Sequence, residues 1–209
     1  MKSLDFEEMI LKDIEKNEGK LYILFLLNSL NQQPILGKTK LMKELFFISN
    51  NVPSLEKLFS FEADNYGPSS DVVSRFLEDL TLFEIISLNN KSKSSSSDYF
   101  EYSLTDFGKR ILESIKDKAV DTELIEDMKI LFSGLSTDEA LALTYFSFPE
   151  TTVESLVKGR IEKNRVKLAL NLYKKNKVSL TKASHIAGIP IDSFLELLKK
   201  NNILVELSL

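Results

Sequence analysis

Residues 179–203 read SLTKASHIAGIPIDSFLELLKKNNI, a spacing that few packings satisfy. Two short helices joined by a tight turn need a small residue where they cross, because a larger side chain would force them apart. They need a turn residue that can take positive φ, and apolar residues at helical intervals on the second helix. Ala183 and Ser184 supply the small pair, Ala187 and Gly188 the turn, and Ile189 the buried residue that follows. Phe194, Leu197 and Leu198 form the inward face of the second helix, and residues 165–175 form a supporting helix in front. The segment therefore predicts a helix-turn-helix.

In that geometry Pro190, Ile191, Asp192, Ser193 and Glu196 face outward from the start of the second helix, the part that enters a major groove. Asp192 and Glu196 suit phosphates poorly, although a carboxylate can accept from cytosine. The cations sit around the helix instead: Lys174, Lys175, Lys177, Lys182, Lys199 and Lys200. Lysines of this kind hold phosphates without reading sequence.

Charge divides along the chain in the same sense. Of 209 residues with net charge −4, residues 158–209 carry eleven basic against four acidic side chains, or +7, which leaves −11 on the rest. A basic end on an acidic body is expected where one end meets a polyanion. A merely solvated basic helix gives the same count.

The remainder is dominated by helical periodicity. Helices are expected over residues 4–16, 20–31, 38–50 and 70–82, the last capped by Ser69 or Ser70 after the Gly67-Pro68 turn. A hairpin follows, with Ile85–Leu88 and Tyr99–Leu104 as arms and a polar, Ser-rich tip between them. Thr105 caps the next helix. Helix, helix, helix, hairpin, helix is the order of a winged helix, with residues 70–82 presented and the hairpin as wing. Its presented face (Asp71, Ser74, Arg75, Glu78, Asp79) holds three acids and one base. Lys38, Lys40, Lys43, Lys91 and Lys93 are the nearby cations. Residues 121–133 read as another helix, Ser136–Glu139 and Thr151–Glu154 as capping boxes, and 158–164 as a linker.

The fold class expected is mainly α: a winged helix-turn-helix body over 1–118, a helical extension over 119–157 packed on it, and a basic helix-turn-helix over 158–209. No cysteine is present, so disulfides and thiolate chemistry are excluded. The single histidine, His185, has no partner cluster and reads as a surface or phosphate-contacting imidazole. No phosphate-cradling glycine loop and no paired nucleophile and base are found, so no enzyme, cofactor or metal site is expected. Neither a signal peptide nor a membrane span is visible, and a cytoplasmic location is the default.

Two resemblances follow from the motifs. Residues 20–157 resemble the YwgA-like winged-helix proteins and, in style, the SocA-like (Panacea) antitoxin domain. They do so through KTKLMKELFF from Lys38, YGPSSD from Tyr66, LEDLTLFEII, YSLTDFG from Tyr102 and LSTDEALALTYFSFPETTVES. Residues 165–203 resemble a family of small prokaryotic, often archaeal, predicted antitoxins, departing at Pro190, where that family more often has a serine cap. Both resemblances imply a prokaryotic regulator of a toxin–antitoxin or mobile-element kind. Two functions are expected as alternatives. The first is a homodimeric transcription regulator on double-stranded DNA, with Lys174, Lys175, Lys177, Lys182, Ile191, Asp192, Ser193, Lys199, Lys200, Lys38, Lys40, Ser74, Arg75, Lys91 and Lys93 at the interface. The second is an antitoxin-like neutraliser or adaptor that binds a protein such as a toxin.

Overall fold

A computed structural model of the chain describes residues 3–93, 97–118 and 120–205, without the side chains of 3–5 and 91–99. The protein is mainly α-helical with one small antiparallel sheet. It divides into two compact units, residues 1–61 with 69–131, and residues 62–68 with 132–209.

The first unit contains α1 (Ser3–Glu15), α2 (Glu18–Gln32), β1 (Ile35–Leu36), α3 (Lys38–Ser49), α4 (Pro53–Phe59), α5 (Asp71–Leu82), β2 (Ile86–Lys93), β3 (Ser97–Leu104), α6 (Asp106–Ser114) and α7 (Thr122–Phe132). The apolar run in α2 is the hub, with Ile23, Leu24 and Leu26 fully buried. Gly19 makes that possible, because a Cβ there would lie 2.6–2.7 Å from the rings of Phe76 and Phe59. Regular helix stops at Ser29. Leu30 and Asn31 turn left-handed, and the freed Leu30 N–H donates to the Glu126 carboxylate at 3.0 Å. Ser70 caps α5 by accepting from Val73 N–H at 3.1 Å, and Thr105 caps α6 by accepting from Gly108 N–H at 2.9 Å.

The sheet has the order β1-β3-β2, with Ile35 opposite Tyr102 and Leu88 opposite the same tyrosine across the other edge. With α5 running into β2, this is the winged-helix order. Two elements are not legible from local sequence. Strand β1 is only two residues long, too short for an alternating pattern. Helix α4 starts on Pro53, where the missing N–H costs nothing. The hairpin arms also run further than expected, into the serine-rich stretch: backbone pairing extends to Lys93 opposite Ser97.

The second unit contains α8 (Thr137–Ser147), α9 (Lys158–Lys163), α10 (Arg165–Lys174), α11 (Leu180–Ala187) and α12 (Ile191–Lys200). Its inner cluster is Leu141, Ala142, Tyr145, Ile161 and Leu168, with Phe146 and Val157 against it. The Ser136–Glu139 capping box forms: Glu139 N–H donates to Ser136 Oγ, and Ser136 N–H to the Glu139 carboxylate. The box expected at Thr151 does not form. Pro149 starts a 3-10 turn through Thr152, and the Thr151 hydroxyl donates back to Phe148 O at 2.8 Å. Nor are residues 158–164 a linker. They form α9, anchored by the fully buried Ile161.

Residues 62–68 belong here because their backbone is used here. Asn65 O accepts from Leu156 N–H and from Ser155 Oγ, and Ser155 Oγ meets Tyr145 OH at 2.6 Å. The compact units thus divide at 131/132, with a crossing at 62–68. Among the described residues, no helix is long and apolar enough to cross a membrane.

Candidate nucleic-acid interface

The helix-turn-helix is built from α10, α11 and α12. Ala183 and Ser184 are buried on α11, which packs on both α10 and α12, and Ala187 is buried beside the turn. Gly188 closes α11 at φ +71°, and its N–H donates to Ser184 O at 2.9 Å. Ile189 is half-buried, less than expected. Phe194 and Leu198 are fully buried, Leu197 is half-buried, and the Phe194 ring meets Tyr173 edge-on at 6.2 Å.

Arg165 locks the turn from behind. Its Nε donates to Ile186 O at 2.7 Å and its Nη2 to His185 O at 3.0 Å, at the C-terminal end of α11. A guanidinium there donates to two carbonyls of the last turn and opposes the negative end of the helix dipole. The same group lies 4.3 Å from the centre of the Phe146 ring.

What this scaffold presents is the start of α12. Ile191 is 39% exposed, and Pro190, Asp192, Ser193, Glu196 and His185 are exposed too. The cap position of α12 is Pro190, whose side chain has no acceptor to offer the first turn. The first-turn amides at Asp192 and Ser193 thus receive no hydrogen bond from the cap side chain.

The lysines expected around α12 split into two sets. Lys174, Lys199 and Lys200 are exposed. Lys175 instead pairs with Glu139 at 2.6 Å and donates to Gly134 O at 2.8 Å, while Lys177 Nζ donates to Ser133 Oγ at 3.2 Å. Lys182 Nζ lies 3.4 Å from Phe146 O, and burial pushes its pKa down. Burial would raise the Glu139 carboxyl, but Lys175 and the Ser136 amide outweigh it and hold it below its usual range. These three lysines brace α8 and the loop before it.

Two further lysines were missed. Lys163, Lys167 and Lys174 line one groove with Asn171, Asn201 and Ile203. Their spacing of four and seven residues is visible in the sequence, but reading 158–164 as a linker hides it.

In the first unit the expected interface residues scatter more. Lys38 and Arg75 are exposed, and Ser74 is half-buried with its hydroxyl donating to Ser70 O. Lys40 is not a surface cation. It is 7% exposed, beside buried Glu44 and Lys129. Burial pushes the Glu44 carboxyl up to about 7, against the pull of Lys129 and Lys40. The side chains of Lys91 and Lys93 lie outside the described residues. Asp79 is taken by Lys20 at 3.0 Å. Beside α5 runs an apolar groove lined by Leu77, Leu82, Leu88 and Tyr102, with Lys38 and Glu78 at its rim.

No three histidine, aspartate or glutamate side chains among the described residues are grouped to hold a metal ion. No curated protein gives a significant match to the chain. The YwgA-like and SocA-like resemblance over residues 20–157 gains no match of its own. Residues 144–209, which include the whole of the helix-turn-helix, match a family described as "Uncharacterised protein family (UPF0175)".

Proposed function

We propose that the protein is a DNA-binding transcription regulator of prokaryotic type, acting in the cytoplasm. Its C-terminal helix-turn-helix is the reader. The observation that carries this is the start of α12: uncapped, exposed at Ile191, Asp192 and Ser193, and held on a core fixed by Phe194, Gly188 and Arg165. Lys199 and Lys200, at the far end of the same helix, hold phosphates. One module of this size buries too little surface for useful affinity, so the working form is a homodimer on a two-fold related site.

Selection from a pool of random duplexes tests this reading. The expected result is enrichment of one sequence, bound with an affinity that falls steeply with salt. A pool that stays random after repeated rounds would overturn it.

A second reading, a protein-binding adaptor of antitoxin-like type, draws on the first unit. The groove beside α5 is apolar, and Leu82 on its edge is 76% exposed. A winged helix that met DNA with α5 would set leucines and Glu78 against phosphates. A basic, partly apolar partner such as a toxin suits that surface better. Leu82→Asp should release such a partner and leave duplex binding intact.

A further inference from the structure

The lysine groove on α9 and α10 has no part in the reading of bases assigned to α12. Lys163 closes α9, and Lys167 and Lys174 lie on α10. All three are exposed, and no carboxylate among the described residues lines the groove with them. Its floor is Val166, Leu170 and Ile203. Lysine stems can lie on such a floor while their ammonium groups reach outward. Lysines 175, 177 and 182 show what this fold does when a lysine is structural: each is tied to α8 or to the loop before it. Among the described residues, Lys163, Lys167 and Lys174 have no such tie.

Spacing gives the partner. Lys167 and Lys174 lie seven positions apart on α10, about 10 Å along its axis, and Lys163 ends the helix before it. One strand of a duplex offers roughly three phosphates over that rise. A row of point charges without an acceptor or a shaped pocket recognises a polyanion, not one particular anion. The geometry points to a phosphodiester track: the α9–α10 groove holds the backbone of duplex DNA through Lys163, Lys167 and Lys174, independently of sequence, while α12 reads the bases. This inference rests on the DNA-binding reading above.

The test is binding of the full chain to a duplex of random sequence, measured over a series of salt concentrations. Replacing Lys163, Lys167 and Lys174 by Gln should lower the slope of log K against log salt by about 2.7, the share of three phosphates. The three side chains are exposed, so the fold should be unaffected. Replacing all three by Arg should keep the slope. Removing three charges at Lys12, Lys109 and Lys116 instead should leave it unchanged. A slope unmoved by the groove variant, or moved equally by the control, overturns the proposal.

Ile191→Ala with Ser193→Ala separates the two readings. It should leave the random-duplex slope intact and erase the preference for the enriched sequence. If the groove variant behaves as expected but this pair changes nothing, the track stands and α12 as reader falls. If the parent binds no duplex at all, both fall.

Discussion

Gly188 meets two demands at once. Its φ of +71° lies where a side chain is strained, and a Cβ there would sit 2.4–2.7 Å from the guanidinium of Arg165. That guanidinium cannot yield cheaply, because it is already hydrogen-bonded to Ile186 O and His185 O. Gly188→Ala should therefore cost about 1–3 kcal/mol, read as a lowered urea midpoint. A midpoint equal to the parent's would mean that Arg165 does not hold the turn. Glu139 makes a second case. Its carboxyl is held below its usual value of 4.5, so the stability it lends is full above that pH and lost as pH falls through the folded value. The stability gap between the parent and Glu139→Gln should shrink below about pH 4.5, followed by hydrogen exchange of α8 amides. A gap independent of pH would show that the Lys175 pair carries no linkage.

At the scale of elements, the parts that sequence makes legible are those governed by local chemistry. The caps at Ser70, Thr105 and Ser136, the Gly188 turn and the inward face of α12 all depend on residues within one or two helical turns of each other. What sequence hides depends on partners far away in the chain. Strand β1 exists because β3 is there to pair with it, some 65 residues later. Helix α9 exists because Ile161 has the α8 cluster to enter. Lys40 reads as a surface cation on a helix, but its exposure is decided by tertiary packing. The same gap divides the lysines of the interface, since charge and spacing alone do not tell a brace from a phosphate ligand. Lys175→Gln should lower thermal stability, because it strips the buried end of α8 of its partner. Lys199→Gln with Lys200→Gln should leave the melting temperature within a degree or two and weaken duplex binding, by about 0.9 in salt slope for each phosphate no longer held. The opposite pattern would return Lys175 to the interface.

Across the whole molecule, the two helix-turn-helix-like surfaces have opposite chemistry. The winged unit presents Asp71, Arg75 and Glu78 beside an apolar groove. The C-terminal unit presents an uncapped helix start and a lysine track, in a segment with net charge +7. Affinity for a polyanion follows local charge more than the total, so a chain of net −4 is no obstacle to a basic module at one end. In the proposed function, base reading falls to α12 and none of it to α5. Site-specific photo-crosslinking tests that division most directly, with the crosslinker placed at Ser193 in one variant and at Ser74 in another, each bound to the enriched duplex. Crosslinks to bases are expected from position 193 and none from 74; crosslinks from 74, or silence at 193 in a complex that still forms, would contradict it.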